Sequence, residues 1–334
     1  MSAVDTTYRE ALGLALQDAM RADEDVIVLG EEVGLYGGAY GVTKGLLDEF
    51  GAGRVIDTPI SEPAIVGAAV GAAMTGLRPV AELMYVDFAG LVMDQLANQA
   101  AKIRYMFGGQ IGVPMVLRTQ GGTGRSAAAQ HSQSLEAWMV HTPGLRVAMP
   151  ATPNDAYHLL RHALTLPDPV VFIEHKALYT TKGALDRAAP DAPWGKAVVR
   201  RPGRDVTLVT YSRMVGEALA AAEVLAAEGV ECEVIDLRTL NPYDAATVAA
   251  SVRRTGRAAV VTEACLTAGM AAEIAARIYE DCFDFLEEAV VRIAGEDIPI
   301  PVSPALERGS IPSRDLIAET VAYMVAGKTP EWAR

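Results

Sequence analysis

The sequence contains few cysteines, no excess of positive charge and no long apolar run. Its three cysteines, Cys232, Cys265 and Cys282, form neither a CxxC pair nor a cluster with histidine. An odd number of scattered thiols is typical of a protein that keeps them reduced and buried, as in the cytoplasm. We therefore expect no disulfide framework and no metal site built on cysteine.

Positive charge is scarce, since 29 lysines and arginines stand against 42 aspartates and glutamates and give a formal net charge of −13. Nucleic acids and anionic membranes both require a basic face, so the sequence argues against either partner. The longest uncharged stretch, residues 63–77, is too short and too rich in alanine and glycine to span a bilayer. The first residues show no signal peptide and no arginine-rich leader, and we expect a cytoplasmic protein.

Strand-like and helix-like patterns alternate along the chain, as in a parallel sheet covered by helices. Residues 1–185 predict one α/β domain, with strands at 26–29, 54–57, 79–85, 113–118, 145–149 and 170–174. Residues 186–203 carry prolines and glycines among charges and predict a linker. Residues 204–334 predict a smaller α/β domain of four strand and helix pairs, with strands at 206–211, 231–237, 257–262 and 290–293.

Glu62 stands where an apolar strand ending at Ile56 gives way to a helix without any charge, AIVGAAVGAAMTG at 64–76. Ser61 and Pro63 are residue types that cap and open helices. A helix that is apolar all round is expected to be buried. The carboxylate at its start is either an exposed acid favoured by the helix dipole or a buried group with a displaced pKa.

A second conspicuous stretch, GGTGRSAAAQHSQ, occupies residues 121–133. Gly122, Gly124 and Ala127 match the GxGxxA pattern of nicotinamide-binding enzymes, but the segment lies deep in the domain and no acid follows about twenty residues later. His131 ends this stretch as either a satisfied polar residue or an acid/base catalyst. Another glycine-rich segment, residues 34–41, lacks the spacing of a phosphate loop and predicts a mobile loop.

In combination, these stretches resemble the β subunits of the E1 component of 2-oxo-acid dehydrogenase complexes, in the transketolase-like thiamine diphosphate family. The resemblance runs from about Tyr8 to Tyr323, and its main motifs are GEEV at 30–33, RVIDTPISE at 54–62, VGAAMTGLRPVAE at 70–82, AAQHSQ at 128–133, PGLRV at 143–147 and ECEVIDLRTLNP at 231–242. RTQGG at 118–122 and IEHKALY at 173–179 are most similar to the acetoin-cleaving branch. The resemblance implies a pyrimidine-binding domain followed by a smaller C-terminal transketolase-type domain.

The resemblance also implies roles for four side chains. Glu62 would bond N1′ of the cofactor's aminopyrimidine, where proton exchange lets the exocyclic amine remove the C2 proton of the thiazolium ring. The uncharged helix should desolvate Glu62 and raise its pKa. Met84 would pack on the pyrimidine ring and Phe88 would stack against it. His131 would be an acid/base or orienting group beside the substrate carbonyl.

One family motif is missing. Enzymes of this kind hold the diphosphate through Mg²⁺ with a GDG motif, and the sequence contains no GDG. A diphosphate needs cationic or metal-borne compensation, so the resemblance implies that an α subunit supplies the Mg²⁺ site within an α2β2 heterotetramer. It further implies a structural K⁺ site of backbone carbonyls, at Met115, Ala163, Leu164, Leu166 and Asp168.

The implied function is that of a thiamine diphosphate-dependent oxidoreductase, active only with its α subunit. It would decarboxylate a 2-oxo acid or cleave acetoin and reductively acylate the lipoyl group of an E2 acyltransferase. One alternative is a subunit of a split transketolase acting on sugar phosphates, and another is a non-catalytic scaffold for E2. The sequence does not distinguish pyruvate, branched-chain 2-oxo acids and acetoin. Acids of the second domain, such as Glu273 and Asp284, predict a face for a basic segment of E2.

Overall fold

The structure is a computed structural model that describes residues 4–328. The chain forms two compact units: unit 1 comprises Met1–Gly121 and Trp138–Trp194, and unit 2 comprises Gly122–Ala137 and Gly195–Arg334. This division differs from the predicted boundaries. Residues 122–137, which lie within the first predicted domain, group with the C-terminal unit because their side chains and backbone bond to it.

Unit 1 is built on a parallel sheet. Its strands are β1 (Val4–Thr7), β2 (Val26–Gly30), β3 (Val55–Asp57), β4 (Arg78–Leu83), β5 (Val116–Gly121), β6 (Arg146–Ala148), β7 (Val170–His175) and β8 (Lys182–Leu185). β1 and β8 form a separate antiparallel pair, and the other strands run parallel in the order β6-β7-β5-β4-β2-β3. The six strands predicted between residues 26 and 174 are therefore confirmed, and β2, β5 and β7 are buried along their whole length.

Helices cover this sheet. They are α1 (Tyr8–Ala22), α2 (Leu46–Phe50), α3 (Glu62–Met74), α4 (Ala89–Met93), α5 (Ala101–Met106), α6 (Glu136–Val140) and α7 (Pro153–Ala163). A capping box starts α1, in which the Thr7 hydroxyl accepts the N–H of Glu10 at 3.2 Å and the Glu10 carboxylate accepts the N–H of Thr7 at 2.9 Å. A π-helical turn, Asp94–Ala100, joins α4 to α5, so residues 89–106 form one continuous helical segment.

Unit 2 has its own sheet and core. Its elements are β9 (Val198–Arg201), β10 (Val206–Thr210), α8 (Met214–Ala227), β11 (Cys232–Asp236), β12 (Thr239–Asn241), α9 (Ala245–Thr255), β13 (Ala258–Cys265), α10 (Met270–Cys282), β14 (Val291–Gly295), α11 (Pro304–Gly309) and α12 (Arg314–Val325). The sheet order is β14-β13-β10-β11-β9, with β9 antiparallel to β11 and the other pairs parallel. The four predicted strand and helix pairs are all present.

Two expectations for this unit differ from the structure. β9 lies inside the predicted linker, where Arg200 pairs with Asp236 at 2.8 Å and Arg201 with Glu231 at 2.6 Å. Ion pairs and hydrogen bonding to β11 stabilise this edge strand. Because it does not depend on a buried apolar face, its sequence lacks the alternating apolar pattern by which a strand is predicted. Cys232 and Cys282 are buried as expected, but Cys265 is exposed at the end of β13.

Candidate functional site

Three neighbouring strands of unit 1 end at the edge of the sheet where Glu62 lies. β2 is flanked by β3 on one side and by β4 on the other. The chain therefore passes from β2 to β3 on one side and then returns past β2 to β4 on the other side. Ligands of parallel α/β sheets bind outside the carboxyl ends of the strands at such a switch point. Glu31 follows β2, Met84 follows β4, and Glu62 opens the helix that follows β3. We call this place the switch-point edge.

Glu62 is the first residue of α3 and is half-buried in this chain. The helix dipole favours a carboxylate at that position. Ser61 precedes it, but the serine hydroxyl makes no capping hydrogen bond. Pro63 occupies the first turn, where its missing N–H costs the helix no hydrogen bond.

The remainder of α3 is not buried all round, contrary to the expectation from its composition. Ile65, Val66 and Val70 face the core, whereas Ala64, Ala68 and Gly71 on the other side are exposed. A Cβ atom placed on Gly71 would meet no atom of the described residues within 4 Å. Beside this side lies a cavity of about 330 Å³, lined by Gly67, Val70, Gly71, Met74, Gln95, Gln99, Ile103, Met106 and Phe107. The uncharged side of α3 is therefore uncovered in the single chain.

Glu31 shares the negative environment of Glu62. Burial raises the pKa of Glu31, and the carboxylates of Glu62, Glu82 and Glu32 raise it further. The neutral acid is therefore favoured at this position compared with an exposed glutamate. Sequence reasoning missed Glu31, although its place in GEEV, directly after a buried strand, was a usable signal.

Met84 and Phe88 lie just beyond β4. Met84 is the first residue after the strand, and Phe88 ends the short 3-10 turn Val86–Phe88. Both side chains are half-buried, so each keeps part of its apolar surface accessible. A carboxyl group, a thioether and a phenyl ring together fit an aromatic ring that contains nitrogen, because the acid can bond a ring nitrogen while the others pack on its faces.

Asp57 ties the glycine-rich segment 34–41 to the end of β3. Its carboxylate accepts the N–H of Gly34 at 2.5 Å and the N–H of Leu35 at 3.1 Å. A Cβ atom on Gly34 would lie 2.8 Å from a carboxylate oxygen of Asp57, so only glycine allows this approach. Leu35 and Tyr36 are 89% and 70% exposed. The segment is thus anchored at its base and open to solvent at its tip.

A buried ion network crosses three strands next to Met84. Arg118 donates to Glu174 at 2.6 and 2.9 Å and to Glu82 at 2.8 Å, and the Tyr179 hydroxyl donates to Glu174 at 2.6 Å. Although burial disfavours its charge, the two carboxylates raise the pKa of Arg118. Removing one member of such a buried network costs about 3–5 kcal/mol. The network therefore fixes β4, β5 and β7 near the ends that carry the site.

Sequence reasoning also missed this network. The available signal was a charged residue inside each of three otherwise apolar strands. Their register aligns Glu82 with Arg118 and Arg118 with Glu174. That register depends on strand order, which the sequence alone does not give.

His131 belongs to unit 2, whereas Glu62, Met84 and Phe88 belong to unit 1. His131 is half-buried in a loop whose neck is closed by the N–H of Gly122, which donates to the Gln133 carbonyl at 2.9 Å. Ser126 and Ala128 in this loop have positive φ angles of 52° and 62°. Such backbone costs about 1–3 kcal/mol per non-glycine residue and is typical of functional loops.

Between residues 4 and 328, no group of three or more His, Cys, Asp or Glu side chains could hold a metal ion. Among the helices described, none combines the length and apolar character needed to cross a membrane.

Two protein families match the chain. Residues 5–182 match the transketolase pyrimidine-binding domain, and residues 195–317 match the transketolase C-terminal domain. The two matches cover most of the chain and correspond to the two α/β domains predicted from the sequence.

Curated relatives are similar over nearly the whole length. The chain is 46% identical over 318 residues to the mitochondrial pyruvate dehydrogenase E1 component subunit beta-2 of Oryza sativa subsp. japonica, covering 94% of this chain and 85% of that protein. It is 47% identical over 316 residues to the pyruvate dehydrogenase E1 component subunit beta of Rhizobium meliloti, covering 94% and 68%. It is 45% identical over 327 residues to the acetoin:2,6-dichlorophenolindophenol oxidoreductase subunit beta of Cupriavidus necator, covering 95% and 96%.

A solved structure shares the fold. The inactive beta4 tetramer of a split-gene transketolase superposes with a TM-score of 0.78, covering 98% of this chain and 99% of that one. Its sequence is 22% identical, so the likeness concerns the fold alone. The predicted fold class is confirmed.

Proposed function

This chain belongs to the family of E1 β subunits of thiamine diphosphate-dependent 2-oxo-acid and acetoin dehydrogenase complexes, and from that premise we propose that it forms one half of such an enzyme's active site. It is an oxidoreductase component that works with an α subunit. The acyl group produced would pass to the lipoyl group of an E2 acyltransferase.

One observation carries the proposal for the site. A half-buried carboxylate, Glu62, follows β3 at the switch-point edge of a parallel sheet, and Met84 and Phe88 keep accessible apolar surface after β4, on the other side of β2. This combination suits the aminopyrimidine half of thiamine diphosphate. The sequence contains no GDG motif for the diphosphate half, so we assign Mg²⁺ and the diphosphate to the α subunit.

The chemistry assigned to this chain is proton handling beside the pyrimidine. When bound, thiamine diphosphate supplies a carbon nucleophile at C2 that adds to the carbonyl carbon of the substrate. Glu62 would hold and exchange the proton at N1′ of the pyrimidine. Glu31, with its raised pKa, keeps a second acid at the same edge. His131 would orient the substrate carbonyl or exchange a proton with it.

The uncovered side of α3 supports contact with the α subunit. That partner must bring the diphosphate half of the site to Glu62, which is the first residue of this helix. Ala64, Ala68 and Gly71 continue from Glu62 along the exposed side, and small residues let another backbone approach closely. Among residues 4–328, no neighbouring atom requires glycine at position 71. We propose that the α subunit packs there within an α2β2 heterotetramer.

A second surface, in unit 2, supports contact with E2. Asp284 and Glu288 are exposed near Phe283 and Phe285 in the sequence, which are 72% and 51% exposed, and Glu273 is exposed in the first turn of α10. Exposed aromatic rings among charges are typical of protein interfaces. Other acids of this region are neutralised, since Glu287 pairs with Arg257 at 2.6 Å and Asp281 with Arg277 at 2.8 Å. The proposed face is therefore smaller than the sequence predicted.

The K⁺ site implied by the resemblance stays a prediction, because its expected ligands are backbone carbonyls, and arginine side chains lie near two of its residues. The carbonyl of Leu164 accepts a hydrogen bond from Arg78 at 3.0 Å, and the Asp168 carboxylate pairs with Arg104 at 2.5 Å and Arg146 at 2.9 Å. Guanidinium groups already supply positive charge there and hold the pKa of Asp168 below its usual value despite burial. We derive no role for K⁺.

The split transketolase is supported by fold likeness alone, at 22% identity. The relatives at 45–47% identity carry names of E1 β and acetoin-oxidising subunits, so we do not retain that alternative. For the cellular compartment we keep the cytoplasm as a proposal, which fractionation of cells with an antibody to this chain would test.

The test of function is coexpression with the α subunit, followed by assays with pyruvate, branched-chain 2-oxo acids and acetoin, each supplied alone. We expect turnover of at least one of these substrates. Acylation of a lipoyl domain should accompany turnover and should require thiamine diphosphate. Transfer between sugar phosphates without lipoyl acylation would contradict the proposal.

A further inference from the structure

The loop 122–137 fills the place in unit 2 where a ligand would ordinarily bind. β10 has β11 on one side and β13 on the other, so the switch point of this second sheet lies at the carboxyl ends of β10 and β13. There the N–H of Thr123 donates to the Glu263 carboxylate at 2.6 Å, and Arg213 donates to the Thr123 hydroxyl at 3.1 Å. A segment of the same chain, the loop 122–137, therefore occupies the switch point of this sheet.

Glu307 holds the next residues of the loop. Its side chain, on α11, is only 3% exposed. Its carboxylate accepts the N–H of Gly124 at 2.8 Å and the N–H of Ser126 at 3.0 Å. A buried carboxylate needs such partners, and hydrogen bonds to a charged acceptor are about twice as strong as neutral ones.

The far end of the loop is fixed as well. The Tyr211 hydroxyl donates to the buried carboxylate of Glu136 at 2.6 Å. Burial, together with the charge of Glu136, raises the pKa of Tyr211 well above its usual value, so the hydroxyl stays a donor. We refer to Tyr211, Glu263 and Glu307 as the loop clamp. His131 lies between the two clamped ends.

Packing alone does not hold the part of the loop that carries His131. Gln130, Ser132 and Gln133 border a cavity of about 650 Å³ within unit 2. The Ser132 hydroxyl is buried and has no hydrogen-bond partner among the described residues. The positive φ angles of Ser126 and Ala128 add strain that favours another conformation. A strained loop beside open space keeps its shape only if other contacts outweigh the strain.

We propose that the loop clamp, and Glu307 above all, positions His131 for the substrate step. Glu307 is a positioning residue, since its carboxylate contacts the backbone of the loop and acts through His131. This inference rests on the role proposed for His131. It gives the C-terminal unit a function in catalysis, because that unit supplies all three members of the clamp.

Hydrogen exchange tests the holding of the loop directly. In the assembled α/β enzyme, Glu307→Gln removes the negative charge and replaces one acceptor oxygen by an NH₂ group, so the side chain keeps only one oxygen to accept the N–H groups of Gly124 and Ser126. We expect exchange of the amides in peptide 122–137 to accelerate about tenfold or more. Glu319→Gln, a matched change at an exposed acid on α12, should leave that peptide unchanged. Equal exchange in wild type and Glu307→Gln would overturn the clamp.

Kinetics test whether the clamp acts through His131. We expect Glu307→Gln to lower the rate of lipoyl acylation about 10- to 100-fold, the usual effect of misplacing a catalytic group by about 1 Å. Proton exchange at C2 of the cofactor should persist. In a His131→Ala background the same change should add no further loss. Additive losses of acylation rate in the double variant would show that Glu307 has only a structural role. Loss of C2 exchange accompanied by a lowered melting temperature would show the same.

The two proposals fail in different ways. If His131→Ala leaves acylation intact, the role proposed for His131 is wrong and the clamp has no catalytic purpose. If His131→Ala impairs acylation but Glu307→Gln does not, only the positioning role is wrong. Glu263→Gln removes another anchor of the same loop and gives the same set of outcomes if Glu307→Gln does not assemble.

Discussion

At the scale of single residues, the account assigns proton handling to Glu62. Glu62→Gln keeps the size of the side chain and its position at the first turn of α3 but removes the exchangeable carboxyl proton. We expect the assembled variant to lose C2 proton exchange by about two to four orders of magnitude, the usual worth of a positioned acid/base group. The measurement is C2 exchange in deuterated buffer. Glu24→Gln, at an exposed acid of the same unit, is the control and should exchange like wild type.

Glu31 gives a prediction about pH. Burial and the charge of Glu62 raise its pKa in the folded chain, so the folded state binds a proton more tightly than the unfolded state does. The free energy of unfolding therefore decreases as pH rises from the ordinary glutamate pKa through the raised value. Glu31→Gln cannot ionise, so it removes this decrease in the free energy of unfolding. Its melting temperature should exceed that of wild type by about 1–2 °C at pH 7.

The same comparison at low pH supplies the check. Below the ordinary glutamate pKa, Glu31 is protonated in both the folded and the unfolded state. The gain in melting temperature of Glu31→Gln over the wild type should therefore vanish. Glu24→Gln, at an exposed acid of the same unit whose charge does not act on Glu31, is the control and should show no such dependence. A gain that is equal at pH 4 and pH 7 would show that the carboxyl charge is not its cause.

At the scale of elements, α3 links the cofactor site to subunit contact. Ala68→Arg places a charge on its exposed side, where the isolated chain has room for it. We expect this chain to fold normally but to lose assembly with the α subunit, because the arginine would be buried without a partner. Ala227→Arg, at an exposed alanine of α8, should leave assembly intact. Sedimentation of the mixed subunits distinguishes the two, and normal assembly of Ala68→Arg would remove α3 from the interface.

Local patterns were sufficient for most elements but not for their long-range partners. Strands β2 to β7, β10, β11, β13 and β14 and helices α8, α9, α10 and α12 follow from apolar runs and from helical period, which depend on neighbours in sequence. β9 lacked such a pattern because Arg200 and Arg201 hold it through ion pairs. Glu307 and Ser126 bond across 181 positions in the chain, and no local pattern reveals a contact of that kind.

The site shows the same limit. Glu62 and His131 were singled out from their local sequence, Met84 and Phe88 only through family resemblance, and the roles of all four stay predictions. Burial in the folded unit raises the pKa of Glu31 most, and the pairing of β2 with β3 adds the effect of the nearby Glu62 carboxylate, so neither cause is visible in the local sequence. The Arg118 network likewise exists only in the register of β4, β5 and β7.

At the scale of the whole molecule, the net charge of −13 favours a basic partner. If the exposed acids near Phe283 and Phe285 dock a basic segment of E2, affinity should fall as salt rises, because exposed charges are screened over about 8 Å at physiological ionic strength. Titration of E2 at low and high salt measures this. Glu273→Gln combined with Asp284→Asn should flatten the salt dependence, and an affinity independent of salt in the wild type would rule out this face.

The central claim is that this chain carries half of a thiamine diphosphate site. Calorimetry of thiamine diphosphate with Mg²⁺, first with this chain alone and then with the coexpressed α subunit, tests it most directly. We predict little or no heat of binding for the chain alone, because it has no GDG motif, and tight binding by the assembled enzyme. Tight, Mg²⁺-dependent binding by the chain alone would contradict the claim.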